Sequence, residues 1–137
     1  MMKLSRDQLP QLCEKIITTL PQGGVVILQG DLASGKTTFT QNFARFLNLE
    51  DAVTSPTFSL QQIYGGDLFH YDLYNYGFEK FISLGMMEEL ERTGYHLIEW
   101  GDEQLISLLS QAGFAYCVIK ISKCEDNIRC YEVVNGK

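Results

Sequence analysis

A chain of 137 residues with 45% hydrophobic side chains is sized for one compact domain, spanning 1–137, with its own core. Seventeen acidic against eleven scattered basic residues give a net charge of −6, which argues against a protein that grips nucleic acid by a basic face of its own. No apolar run reaches bilayer length and the first residues lack a signal-peptide layout, so a cytoplasmic protein without membrane contact is expected.

In chain order, Leu9, Leu12, Cys13, Ile16, Ile17 and Leu20 recur at helical spacing. Ser5 with Gln8 reads as a capping box, but Pro10 would then lie too deep; Asp7 as the cap leaves Pro10 in the tolerated first turn. Pro21 and Gly23-Gly24 stop this helix. Gly24 to Gln29 is an apolar, β-branched strand, and it runs into GDLASGKTT, Gly30 to Thr38. That segment fits G-x-x-x-x-G-K-[ST] through Gly30, Gly35, Lys36 and Thr37, and the helical spacing of Phe39, Phe43, Phe46 and Leu47 follows it. A glycine loop between strand and helix turns backbone N–H groups inward as a nest for phosphate oxygens, aided by the positive end of the helix. Asp31, Leu32, Ala33, Ser34, Gly35, Lys36, Thr37 and Thr38 are therefore the predicted phosphate cradle. Lys36 would place its charge on the outer phosphates and the Thr37 hydroxyl would ligate Mg²⁺.

Past irregular residues 48–53, Pro56 holds Ser55 extended in Thr54-Ser55-Pro56-Thr57-Phe58. Strands are predicted over 57–64 and 67–73, joined at Gly65-Gly66 as a hairpin. Residues 77–94 read as helix broken near Gly85. They are followed by a strand at 95–98, a helix at 103–111, and strands at 114–121 and 129–134 that turn at Asp126-Asn127. This order predicts an α/β fold whose mixed sheet has a parallel core and an antiparallel flank. Cys13 and Cys117 read as small core residues; Cys124 and Cys130 could pair, or bind metal with His70 or His96. Neither is expected, because zinc spacing and an oxidising compartment are not indicated.

Hydrolysis at such a loop needs a carboxylate for Mg²⁺ at the end of a neighbouring strand. Two positions compete. Glu99 ends the cleaner strand, whereas Asp72 lies in an aromatic-rich stretch that reads as a flap over the site. Thr57 follows Pro56 in a short rigid loop that could sense a γ-phosphate, although a β-branched residue opening a strand is the simpler reading. Trp100 reads as a core or partly exposed aromatic unless it packs near the nucleotide, and His70 as a structural histidine.

These residues, taken together, resemble the TsaE (YjeE) family of P-loop ATPases of bacterial tRNA threonylcarbamoyladenosine biosynthesis. GDLASGKTTFTQNF at Gly30 to Phe43, SPTF at Ser55 to Phe58, HYDLYN at His70 to Asn75 and IEWGD at Ile98 to Asp102 carry the resemblance, with LGMMEEL at Leu84 to Leu90 adding less. The resemblance implies a P-loop NTPase-like three-layer domain that binds ATP and Mg²⁺ and hydrolyses ATP slowly to ADP. Lys36, Thr37 and Glu99 would take the phosphate and Mg²⁺ roles, with Asp72 needed for activity, Thr57 switch-like, Trp100 close to the nucleotide and Leu4 to Asp7 near the adenine. It also implies TsaD-type and TsaB-type partners, a transfer step that belongs to the former, and tRNA contact mainly through the complex. Ala33 and Asn75 depart from the family's usual glycine and arginine. A small-molecule or nucleotide kinase is the alternative, but Arg6, Arg45, Arg92 and Arg129 are spread too widely for a lid. A GTPase-like switch lacks its N-K-x-D motif.

Overall fold

The computed structural model describes residues 2–30, 36–49, 60–65, 67–74 and 77–136, and the side chains of Lys36 and Thr37 lie outside this described set. The elements are β1 (Met2–Ser5), a 3₁₀ turn (Arg6–Gln8), α1 (Leu9–Thr19), β2 (Gly24–Gln29), α2 (Lys36–Phe46), β3 (Gln61–Tyr64), β4 (Leu68–Asp72), α3 (Gly77–Ser83), α4 (Met86–Glu89), β5 (Tyr95–Glu99), α5 (Glu103–Ala112), β6 (Tyr116–Glu125) and β7 (Ile128–Gly136). They build one sheet in the order β1-β7-β6-β2-β5-β4-β3. Its centre, β6-β2-β5-β4, is parallel. The outer pairs β1/β7, β6/β7 and β3/β4 are antiparallel.

Alternation along the strands divides the core between two faces. Val26, Leu28, Leu68, Leu97, Cys117 and Ile119 face α1 and α2, which bring Leu12, Ile16, Phe39 and Phe43 to that side. Val25, Ile27, Phe69, Tyr71, Ile98 and Val118 face the other way, against Phe81, Leu105 and Leu109. Strands buried on both faces explain the continuous apolar runs at β2 and β5.

Local signals explain most boundaries. Gln8 Oε1 accepts the Ser5 N–H at 2.9 Å, so the capping box exists, but it closes the 3₁₀ turn. The α-helix starts afterwards, at Leu9, and this keeps Pro10 in its first turn. The expected cap at Asp7 is not found: Asp7 lies within the 3₁₀ turn and Gln8 stands at the N-cap of α1. Gly85 breaks the α3–α4 segment in the left-handed region, at φ 76°. Asp102 caps α5 by accepting the Leu105 N–H at 3.0 Å, and Gly113 ends it at φ 81°. Asn127 takes φ 63° in the β6–β7 turn.

Two further expectations are corrected, and one element was unforeseen. The short edge strand β1 was not anticipated; its four residues carry too little periodicity, and pairing with β7 creates it. The Asp72 stretch is no flap: β4 pairs with β5 in parallel, and Leu68, Phe69 and Tyr71 are buried in the sheet. Cys124 and Cys130 are joined as a disulfide, with Cα atoms 5.8 Å apart across the β6–β7 hairpin. Antiparallel pairing supplies that proximity, which spacing alone did not. Cys13 and Cys117 are buried as expected, and burial pushes both thiols up to about 12.

Candidate functional site

Only residues 30–35 separate the end of β2 from the start of α2, so the first turn of α2 stands at the carboxyl end of the parallel core. Ligands of open α/β sheets bind at that edge. Glu99 ends β5, the strand next to β2, paired with Leu28 on one side and Asp72 on the other. Odd-numbered positions of β5 and even-numbered positions of β4 share one face. His70, Asp72 and Glu99 thus point to the side that α2 covers. The two carboxylates that competed in the sequence turn out to be cross-strand neighbours.

Backbone bonds hold these strand ends together. The Trp100 N–H donates to the Leu28 carbonyl at 3.2 Å, and the Leu73 N–H to the Glu99 carbonyl at 3.0 Å. Gln29 Nε2 donates to the Gly101 carbonyl at 3.0 Å. A Cβ on Gly101 would meet Ile27 Cγ2 at 2.7 Å, so only glycine allows β5's exit to pass this close to β2. Trp100 has φ 67°, a conformation costing a bulky side chain about 1–3 kcal/mol and tolerated where surrounding structure enforces it. Its ring lies against Tyr74, with centroids 5.0 Å apart. Asp72 Oδ1 accepts the Tyr74 N–H at 2.9 Å, turning the chain beyond β4 so that Tyr74 can meet Trp100.

His70 was expected to be structural. It is fully buried, and its Nε2 makes a short contact with Glu99 Oε2, while Nδ1 has no hydrogen-bond partner among the described residues. The signal for this contact was present in His70-Tyr71-Asp72, because alternation puts the histidine on the face of the aspartate. His96 is also buried, on the opposite face. It accepts the Tyr71 hydroxyl proton at Nδ1 (2.7 Å) and donates from Nε2 to the Arg92 carbonyl (2.8 Å). Burial holds its pKa below the usual histidine value and raises that of Tyr71.

A cleft of about 590 Å³ opens beside the first turn of α2, where Thr38 shares it with Leu4, Ser5, Asp7, Asn127 and Arg129. It brings β1, the 3₁₀ turn and the β6–β7 hairpin tip around one space. A second cleft, of about 430 Å³, gathers Arg6 and Arg45 with Asn42 and Phe46. Two arginines 39 positions apart in sequence therefore share one cleft, with Asp7 also on its wall. The loop residues Asp31 to Gly35, the Thr57 segment and Asn75 lie outside the described residues.

The two carboxylates at the strand ends, Glu99 and Asp72, are hard oxygens of the kind Mg²⁺ takes. Among the described residues no three His, Cys, Asp or Glu side chains converge as a metal cluster of their own. Any ion here would need further oxygens from a ligand or water, as Mg²⁺ bound to phosphates does.

The strand order, the parallel core and the helices on both faces define a three-layer α/β domain of the P-loop NTPase-like kind. Comparison with known sequences narrows this. The family model described as "Threonylcarbamoyl adenosine biosynthesis protein TsaE" matches residues 4–130, and the chain belongs to the TsaE family. It is similar to the tRNA threonylcarbamoyladenosine biosynthesis protein TsaE of Treponema pallidum, 43% identical over 86 residues that cover 61% of this chain and 64% of that one. The TsaE of Bacillus subtilis is 40% identical over 89 residues, covering 61% and 56%. The matched part thus spans less than two thirds of either relative. The crystal structure of Bacillus subtilis YdiB is similar throughout, with a TM-score of 0.71 and 26% identity, covering 99% of this chain and 86% of that one. No helix among the described residues is long and apolar enough to cross a membrane.

Proposed function

We propose that the protein is an ATP-binding, Mg²⁺-dependent ATPase. In this reading it supports a TsaB–TsaD-type complex in N6-threonylcarbamoylation of adenosine 37 in ANN-decoding tRNAs. The observation that carries the hydrolytic part is the placement of Glu99 and Asp72 as cross-strand neighbours, on the face covered by α2, at the edge where the glycine-lysine-threonine loop ends. Family membership carries the pathway.

In this reading Lys36 and the loop amides bind the phosphates, and Thr37 with Glu99 holds Mg²⁺, which neutralises charge on the phosphoryl oxygens when bound. Asp72 stands beside Glu99 to bind the ion or to orient water. Thr57 is assigned the γ-phosphate contact and Trp100 a wall near the nucleotide, while the cleft at Leu4 to Asp7 and Thr38 takes the base and ribose. TsaD-type and TsaB-type proteins supply most of the tRNA contact, in keeping with the net charge of −6. The kinase alternative gains nothing from Arg92, which donates to Glu89 at 2.9 Å and lies over the Phe69 ring on the opposite face of the sheet.

The pathway is tested by depleting the protein in its host and measuring tRNA nucleosides by mass spectrometry. Threonylcarbamoyladenosine should fall, and an undiminished level rejects the pathway role. For the site, Lys36→Ala should abolish tight ATP binding in calorimetry; an unchanged affinity would show that the phosphates are held elsewhere.

A further inference from the structure

We infer that His70 is a positioning residue for Glu99: its Nε2–H holds one carboxylate oxygen and fixes the rotamer in which the acid is presented at the end of β5. The inference deepens the Mg²⁺-ATPase reading and rests on it for its consequence, but the contact itself can be tested without nucleotide.

Parallel pairing sets Leu97 opposite His70 and Glu99 opposite Asp72, so the ring and the acid are diagonal neighbours on one face. Both are buried, on the face that also holds Leu68, Leu97, Leu28 and Phe39, and the Tyr64 ring lies 6.3 Å from that of His70. A glutamate has three side-chain torsions, and a carboxylate at a strand end would sample several rotamers unless something held it. Among the described residues, the contact with His70 Nε2 is the hydrogen bond shown for the Glu99 carboxylate. An ionised carboxylate only accepts, so the proton of that bond is on Nε2. The ring's other nitrogen agrees. Among the described residues Nδ1 has no partner, and a bare lone pair there is far better tolerated than an orphaned buried N–H. His70 therefore acts through Nε2–H as a rigid donor set behind the acid, as outer-shell groups are set behind metal ligands. Asp72, whose own Oδ1 holds the Tyr74 turn, does not need such a partner.

The chain has two histidines, so a long-range ¹H–¹⁵N spectrum of the ligand-free protein contains two rings. His70 should show a protonated Nε2 and a bare Nδ1, and Glu99→Gln should move that ring's signals while leaving those of His96 in place. A His70 proton on Nδ1, or a spectrum indifferent to Glu99→Gln, overturns the inference.

The consequence is read with His70→Leu, which fills the space without a donor, and His70→Gln, which restores an N–H at similar reach. ATP affinity in EDTA should stay within about twofold of wild type in both, as expected for a site not coupled to His70. The gain in affinity on adding Mg²⁺ should fall about 10- to 100-fold in His70→Leu and largely return in His70→Gln. Equal losses in the two variants would make His70 a packing residue and overturn its positioning role. A wild-type protein that binds ATP neither in EDTA nor with Mg²⁺ would instead sink the ATPase reading, a result visible before any variant is used.

Discussion

Between β4 and β5 the sheet carries a polar cluster on each face, and the two are built differently. On the face of α3 to α5, Tyr71, His96, Gln61, Glu89 and Arg92 form a closed circuit. Gln61 Nε2 donates to Glu89 at 3.0 Å and to the Tyr71 hydroxyl at 3.3 Å, and Phe69 stacks on His96 with centroids 4.2 Å apart. Both His96 nitrogens are used. On the face of α2, among the described residues, His70 and Glu99 make one short contact and the other His70 nitrogen has no partner. A protein core pairs its buried polar groups wherever stability alone is at stake, so the completed circuit reads as architecture and the unfinished cluster as a site. The distinction separates two buried histidines that sequence reading treats alike.

The comparison breaks most readily at His96. His96→Leu removes the acceptor of the Tyr71 hydroxyl and the donor to the Arg92 carbonyl, and should lower unfolding free energy by about 1–3 kcal/mol in urea titrations. A loss under about 1 kcal/mol would mean that the circuit contributes little. Glu99→Gln sharpens the contrast: fold stability should be nearly unchanged, while Mg²⁺-dependent tightening of ATP binding should weaken at least about tenfold, or 1.4 kcal/mol, in calorimetry. If that titration is unaltered, Asp72 becomes the carboxylate that binds the ion.

A third test uses pH. Burial depresses the His96 pKa, so the unfolded chain takes up its proton first as pH falls below about 6.5. Stability should be full above that value and decline as pH drops from it toward the folded-state pKa. The slope from this one proton cannot exceed about 1.4 kcal/mol per pH unit, and it should be missing in His96→Leu. The smallest effect should come from a position on neither cluster. Asp102→Ala removes the α5 cap and should cost about 1 kcal/mol in the same unfolding measurement, with ATP affinity unaltered.

Much of this protein was determined by the sequence itself. The β2 strand, the glycine loop pattern, α2, the Gly85 break and α5 between Asp102 and Gly113 follow from periodicity and capping, which act over a few residues. Glu99 at the end of an apolar strand was legible for the same reason. Only the tertiary structure decided the rest. Whether the Asp72 stretch was flap or core depended on β4 finding β5, and 22 residues of chain (73–94) separate them. The edge strand β1, the Arg6–Arg45 cleft and the Cys124–Cys130 bridge arise from pairings that no local pattern encodes. The roles of His70 and His96 fall in this second group. Each is a buried histidine on a strand, and only the partners reached across the sheet, 29 residues away for His70 and 25 for His96, show that one completes a core circuit and the other holds an acid.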